Sequence, residues 1–217
     1  MLDHSHHDDQ FLVVRDAARH FGELTAFARV NFGVAAGNCC AIIGDNGAGK
    51  STLLQCVIGA DRLNAGSITI DGADVDESSP RFRATVAAVV GDVATFAHLT
   101  AHEHLQLVAT AHGVPDPYAI ATATLSDVGL AGAADQLPVT LSSGQRRRLA
   151  LASAFVRPRR LLVLDEPEQH LDSAGRSWLA SALEQEKRMG TAVLLVSHDS
   201  DLVAAVADHV VEAGTWH

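Results

Sequence analysis

The chain has 217 residues, of which 47% are hydrophobic, enough for one full α/β core with a small inserted subdomain. Its formal net charge is −10 and it has no basic block, which argues against nucleic-acid binding driven by phosphate neutralisation. No apolar run approaches the roughly 20 residues that span a bilayer, and the first residues lack the basic and apolar parts of a signal peptide.

The N-terminus carries three histidines, His4, His6 and His7, followed by two aspartates. Such a cluster could bind a transition metal. A solvated tail is the favoured interpretation, because no matching ligands are predicted on a rigid element nearby.

Short apolar runs predict strands in the first part of the chain. Residues 11–14, 26–34 and 67–72 alternate or end in turn-forming residues, which predicts an antiparallel β portion. Residues 38–43 form an apolar run that predicts a buried strand. It contains Cys39 and Cys40, which together with Cys56 are predicted to be reduced core residues, because no C-x-x-C pair is present.

Residues 44–52 read Gly-Asp-Asn-Gly-Ala-Gly-Lys-Ser-Thr, a complete phosphate loop placed between a predicted strand and a predicted helix. Its glycines let backbone N–H groups turn inward around a phosphate, toward which the helix N-terminus also points. Lys50 can reach the outer phosphates, and Ser51 offers a hydroxyl to Mg²⁺. The loop predicts nucleoside triphosphate binding, with a chance glycine-rich turn as the alternative. The predicted nucleotide contacts are Gly44, Asn46, Gly47, Gly49, Lys50, Ser51 and Thr52.

The middle of the chain is rich in predicted helices. Residues 102–112, 118–128 and 144–156 show helical patterns. They interrupt a strand-helix alternation, so residues 92–157 are predicted to form an inserted helical subdomain. Residues 1–91 and 158–217 are then the nucleotide-binding α/β core.

Two acidic residues follow the apolar strand predicted at 161–164. Asp165 would lie beside the phosphate loop and could hold Mg²⁺. Glu166 could orient or deprotonate a water aimed at the γ-phosphate. The alternative is that both are ordinary strand-end residues. His198 follows the next apolar strand, at 192–196, and would reach the same sheet edge, although such a histidine is more often structural.

Residues 141–145, the signature segment, open another helix and read Leu-Ser-Ser-Gly-Gln. Ser142 and Ser143 are good N-cap residues, and Gly144 permits close backbone approach. The segment is a second helix N-terminus suited to an anion, or else a capped helix with a solvated basic face at 146–148.

In this order, the phosphate loop, the signature segment, Asp165-Glu166, Asp172 and Ser197-His198 resemble the ATP-binding subunit of ABC transporters over nearly the whole chain. The resemblance implies a P-loop NTPase core of ABC type with an antiparallel β portion and an inserted helical subdomain. It also implies a head-to-tail dimer with a second copy or a related subunit, holding two ATP molecules and Mg²⁺. The implied ATP contacts across the dimer are Ser142, Ser143, Gly144 and Gln145.

The resemblance assigns roles to further residues. Asp172 would lie in the loop linking the two ATP sites, and His198 would sense the γ-phosphate. Phe21 falls where the family stacks an aromatic ring on adenine, with a buried core phenylalanine as the alternative. The family's glutamine after strand 86–90 is replaced by Asp92, which could approach the metal but puts coupling and hydrolysis rate in doubt.

The predicted function is an ATPase motor subunit, cytoplasmic and peripheral on the membrane, that drives a separate transmembrane permease subunit. Residues 92–137 would carry the docking surface, including Phe96, Leu99, Leu105 and Leu107. No nucleic-acid partner is expected. A non-transport ABC ATPase is disfavoured, since ribosome-acting members usually carry two cassettes and chromosome-handling members a long coiled coil. A slowly hydrolysing nucleotide sensor is kept open by Asp92.

Overall fold

The computed structural model describes residues 10–91 and 95–216 of the chain. The histidine-rich segment and Asp92 therefore lie outside the described residues, and the predictions for them stay predictions. Within those two ranges, none of the helices combines the length and the apolar character needed to cross a membrane.

Two sheets form the framework. The strands are β1 (Gln10–Phe21), β2 (Leu24–Ala35), β3 (Cys39–Ile43), β4 (Ala65–Ile70), β5 (Ala73–Asp74), β6 (Val86–Val89), β7 (Leu161–Asp165), β8 (Ala192–Val196) and β9 (His209–Glu212). The first sheet is antiparallel, with strand order β2-β1-β4-β5, and the second has the order β6-β7-β8-β3-β9, in which all neighbouring strands run parallel. β3, β6, β7 and β8 are short apolar runs that are largely buried, as parallel strands usually are, whereas the edge strand β9 is mostly exposed.

The helices that connect these strands are α1 (Lys50–Val57), α2 (Pro80–Thr85), α3 (Ala101–Ala111), α4 (Pro117–Asp127), α5 (Ser143–Phe155), α6 (Ser173–Arg188) and α7 (Ser200–Val206). α1 packs against one face of the parallel sheet, and α5, α6 and α7 pack against the other face.

Three elements differ from the sequence expectation. β1 runs to Phe21, because polar side chains in its second half hide the alternation while the backbone stays paired through an irregularity at Asp16, whose φ is 45°. The sequence predicts a helix over residues 178–189, but the observed α6 already starts at Ser173, because Asp172 caps it. The short α7 has too few residues to show a helical period.

Helices α3 and α4 and one face of α5 enclose a hydrophobic cluster of their own, the helical cluster, which includes Leu105, Leu125 and Leu149. The other face of α5 packs on the parallel sheet through Leu151. Leu105 is 0% exposed, so its predicted place in a docking surface is wrong. Phe96 is 52% exposed. The predicted subdomain boundaries at 92 and 157 stay predictions.

The three cysteines are buried and free, which confirms their prediction as reduced core residues. Burial raises the pKa of the Cys40 thiol to about 12 and that of Cys56 to about 11. Burial also raises the pKa of Cys39. Since the thiolate is the reactive form, these side chains act as small apolar core groups.

Candidate nucleotide-binding site

The sheet order brings the predicted chemical groups to one edge. β7, β8 and β3 are adjacent and parallel, so their carboxyl ends meet there. The phosphate loop follows β3, Asp165 ends β7, and His198 follows β8. The crevice outside the carboxyl ends of parallel strands is where open α/β sheets bind ligands.

The phosphate loop folds tightly against β2. Gly49, the N-cap of α1, has a φ of 84°, and a Cβ atom there would lie 2.2 Å from the carbonyl oxygen of Ala26. Only glycine fits this approach. The buried Lys50 ammonium donates hydrogen bonds to the carbonyls of Gly44 (2.6 Å) and Asp45 (2.8 Å). These two bonds hold the Lys50 ammonium against the loop.

A small cavity of about 270 Å³ adjoins the loop and is lined by Phe21 on one side. The Phe21 ring is 48% exposed, so the alternative of a buried core phenylalanine is wrong. The Arg19 guanidinium lies 4.3 Å from the ring centroid and is itself held by Asp61 at 2.8 Å. This arrangement fixes the ring while leaving it accessible to a flat aromatic ligand. The cavity is also lined by Asn46, Gly47, Gly49, Lys50, Ser51, Thr52 and Glu166.

Asp165 and Ser51 line a second, larger cavity of about 610 Å³. The Oδ1 atom of Asp165 is buried and has no hydrogen-bond partner among the residues that the structure describes. A buried carboxylate oxygen without a partner is costly unless a ligand satisfies it. Magnesium takes oxygen ligands from one or two side chains and completes its shell with phosphates and water. The residues present therefore fit Mg²⁺.

Glu166 and His198 contact each other directly. The Nε2 atom of His198 lies 3.2 Å from Oε1 of Glu166, whose Oε2 accepts a hydrogen bond from Gln169. Glu166 has a φ of 45°, and its backbone N–H donates to the Val196 carbonyl at 2.8 Å. The carboxylate is thus held beside the histidine at the end of β7.

Arg147 lies on α5, which begins in the signature segment and is called the signature helix below, and it donates hydrogen bonds to the backbone at the end of β7. Its Nη2 donates to the carbonyls of Asp165 and Glu166, both at 2.6 Å, and its Nε donates to the carbonyl of Pro167 at 3.2 Å. Burial lowers the pKa of Arg147, yet an arginine stays charged at neutral pH. The sequence does not predict this role of Arg147, because the partners are carbonyls 18 to 20 residues away. It offers only a basic, solvated face at 146–148.

The signature segment has the geometry expected of a helix start. The Ser142 hydroxyl accepts from the Gln145 N–H at 3.2 Å, and Gln145 Oε1 accepts from the Ser142 N–H at 2.9 Å, a complete capping box. Ser143 is exposed, has no positive φ and lines the same cavity as Ser51. At Gly144, a Cβ would lie 2.9 Å from the His170 carbonyl.

Asp172 caps helix α6. Its Oδ1 accepts hydrogen bonds from the Gly175 N–H and from Arg148, both at 2.8 Å. The backbone hydrogen bond from Gly175, followed by Arg148, holds the pKa of this exposed carboxyl below its usual range. Its predicted position between two ATP sites stays a prediction.

Comparisons with known proteins agree with this geometry. A family model described as ABC transporter matches residues 27–169. The sulfate/thiosulfate import ATP-binding protein CysA of Mycobacterium tuberculosis is 35% identical over 202 residues, covering 92% of this chain and 57% of that protein. The methionine import ATP-binding protein MetN of Brucella abortus is 33% identical over 205 residues, covering 91% and 56%. The chain thus spans little more than half the length of these curated relatives.

Solved structures show the same fold. An ATP-binding subunit of an ABC transporter superposes with a TM-score of 0.86 and 27% identity, over 93% of this chain and 85% of that one. The dimeric post-hydrolysis state of the ATP-binding cassette MJ0796, bound to ADP and Pi, has a TM-score of 0.84 at 22% identity, covers 93% of each chain, and is similar in fold. The predicted fold class is confirmed, and the chain belongs to the ABC transporter family.

Proposed function

We propose that this chain hydrolyses Mg²⁺-bound ATP as the motor subunit of an ABC transporter. The observation that carries the proposal is the Glu166 carboxylate, with the His198 imidazole 3.2 Å away, at the sheet edge that also bears the phosphate loop. An acceptor carboxylate next to a phosphate-binding loop is the arrangement that in-line attack of water on a γ-phosphate requires.

Each residue has a role in this proposal. The loop N–H groups and Lys50 bind the phosphates, while Phe21 stacks on the adenine ring. Ser51 and Asp165 would hold Mg²⁺, which when bound neutralises charge on the phosphate oxygens. Glu166 accepts a proton from, or orients, the attacking water, and His198 donates a hydrogen bond to the γ-phosphate.

The second ATP-contacting surface serves another subunit, either a second copy or a related chain. Ser142 and Ser143 are exposed at the start of α5, where a helix N-terminus favours a phosphate. Gly144 and Gln145 complete this surface, and Asp172 lies at the start of the next helix. These residues support the proposed head-to-tail dimer.

A membrane permease is the proposed partner, which would place the chain on the cytoplasmic face of a membrane. The relatives named above are import ATP-binding proteins. We place the docking surface around Phe96, an exposed aromatic side chain beside the helical cluster. The centroid of the Phe96 ring lies 5.6 Å from that of the His104 ring. An exposed apolar side chain of this kind suits a partner's helix.

We expect Phe96→Asp to abolish co-purification with the membrane permease while ATP binding persists, because a charge would be desolvated at the contact. Met189, another exposed apolar residue, at the end of α6, supplies the control Met189→Asp, which should co-purify normally. Full permease binding by the Phe96 variant would contradict the assignment.

Phosphate release by the purified chain tests the proposed hydrolysis. We expect activity with Mg²⁺, none with excess EDTA, and loss of ATP binding in Lys50→Ala. Lys187→Ala is the matched control, since Lys187 pairs with Glu184 and with Asp208 at the opposite sheet edge. Tight ATP binding without measurable hydrolysis by the parent protein would favour the nucleotide sensor instead.

A further inference from the structure

The loop that carries His198 is tethered by a second carboxylate, which belongs to Glu168. Oε1 of Glu168 accepts a hydrogen bond from the Ser197 hydroxyl at 2.6 Å and another from the His198 backbone N–H at 3.1 Å. The Ser197 oxygen in turn accepts from the Asp199 N–H at 3.0 Å. One oxygen atom therefore contacts two of the three residues that connect β8 to α7.

Packing alone does not account for a carboxylate at this position. Glu168 is only 9% exposed, and its Oε2 is buried without a hydrogen-bond partner in the described part of the chain. Burying an ionised group with an unpaired oxygen costs free energy that an apolar side chain of the same size avoids. The nearby cation is Arg147, which is attracted to Glu168 as well as to Asp165 and Glu166.

Glu168 also connects two parts of the site that are distant in sequence. Arg147 fixes the backbone of Asp165 and Glu166, and Glu168 follows on the same segment. Through Glu168, that segment holds the histidine that faces Glu166. The backbones of Glu166 and His198 are thus both tied to one segment, which Arg147 anchors to the signature helix.

We propose that Glu168 is a positioning residue for ATP hydrolysis: its carboxylate fixes the loop at 197–198 so that His198 stays beside Glu166. The inference rests on the proposed hydrolysis. It follows from geometry, because a displacement of about 1 Å in a positioned group can lower the rate about a hundredfold.

Three variants separate positioning from packing. Glu168→Met keeps the size of the side chain and removes both acceptors, so we expect kcat to fall at least about tenfold while the Kd for MgATP changes less than about threefold. Glu168→Gln keeps an oxygen that can accept both hydrogen bonds and should restore kcat to within about threefold of the parent. Ser197→Ala should show an intermediate loss that is not additive with Glu168→Met.

Thr191→Val is the matched control. The Thr191 hydroxyl donates to the buried Glu186 at 2.9 Å, just before β8 and hence at the opposite edge of the sheet. Like Ser197→Ala, this variant removes a hydroxyl that donates a hydrogen bond to a buried carboxylate. A general effect on folding would therefore appear in both variants. Its kcat should match that of the parent protein.

Amide hydrogen exchange in the nucleotide-free protein tests the tether without requiring turnover. The His198 amide should be protected in the parent and in Glu168→Gln, and should exchange about tenfold faster or more in Glu168→Met. Unchanged exchange, or parent-like kcat in Glu168→Met, would overturn the inference, and so would a Gln variant as slow as the Met variant. A parent protein that does not hydrolyse ATP would instead contradict the proposed function, while the exchange data still decide whether the tether exists.

Discussion

Replacing Glu166 with glutamine is expected to lower ATP turnover by about 10²- to 10⁴-fold, the range that a positioned acid or base contributes. Glutamine has nearly the same shape but cannot accept a proton from water. His198 and Gln169 both contact the Glu166 carboxylate, so the substitution alters the centre of the site. The hydrogen bond from Arg147 goes to the Glu166 backbone carbonyl and therefore remains.

The measurement is phosphate release at saturating MgATP, combined with equilibrium binding of ATP. Binding should be retained, because the loop and Lys50 are unchanged and the loss concerns only the transition state. Glu184→Gln, which alters a glutamate on α6 that pairs with Lys187, is the control and should hydrolyse normally. Hydrolysis at the parent rate by the Glu166 variant would show that another group activates the water.

The location of the site could be predicted from the sequence because its chemistry is tied to local patterns. A phosphate loop must follow a strand, and Asp165 and His198 each follow an apolar run. Parallel strands place their carboxyl ends at one edge, so these segments meet without any knowledge of long-range contacts. The sequence does not decide whether Phe21 is exposed, because the hydrophobicity of a single residue does not say on which side of a strand it faces.

The supports of the site could not be predicted in this way. Glu168 binds a hydroxyl 29 residues away, and Arg147 binds carbonyls on a different element. Periodicity carries no information about such pairs, since charged residues on a helix or at a turn usually face solvent. Leu105 illustrates the converse error: it lies near an exposed aromatic residue in sequence but points into the helical cluster.

ATP is expected to convert the Glu166→Gln protein from a monomer into a dimer. The exposed N-terminus of α5 at Ser142 and Ser143 offers N–H groups and a positive dipole end to a phosphate. The negatively charged phosphates of an ATP bound to one subunit can therefore contact this surface of a second subunit. The Glu166→Gln substitution keeps that ATP intact, because it blocks hydrolysis. Light scattering at saturating MgATP, compared with the nucleotide-free protein, measures the change.

Ser143→Glu, added to Glu166→Gln, should keep the protein monomeric, because a carboxylate at the helix start repels the phosphates of the partner's ATP. Ser181→Glu adds the same charge at an exposed position of α6 and should leave the dimer intact. ATP binding by each variant is measured in parallel, since Ser143 lines the same cavity as Ser51. Weak dimerisation without the permease would reflect the low concentration of one subunit near the other. If the ATP-loaded protein stays monomeric even at high concentration, each subunit completes its ATP site alone. That result would contradict the proposed role of the signature segment across the dimer.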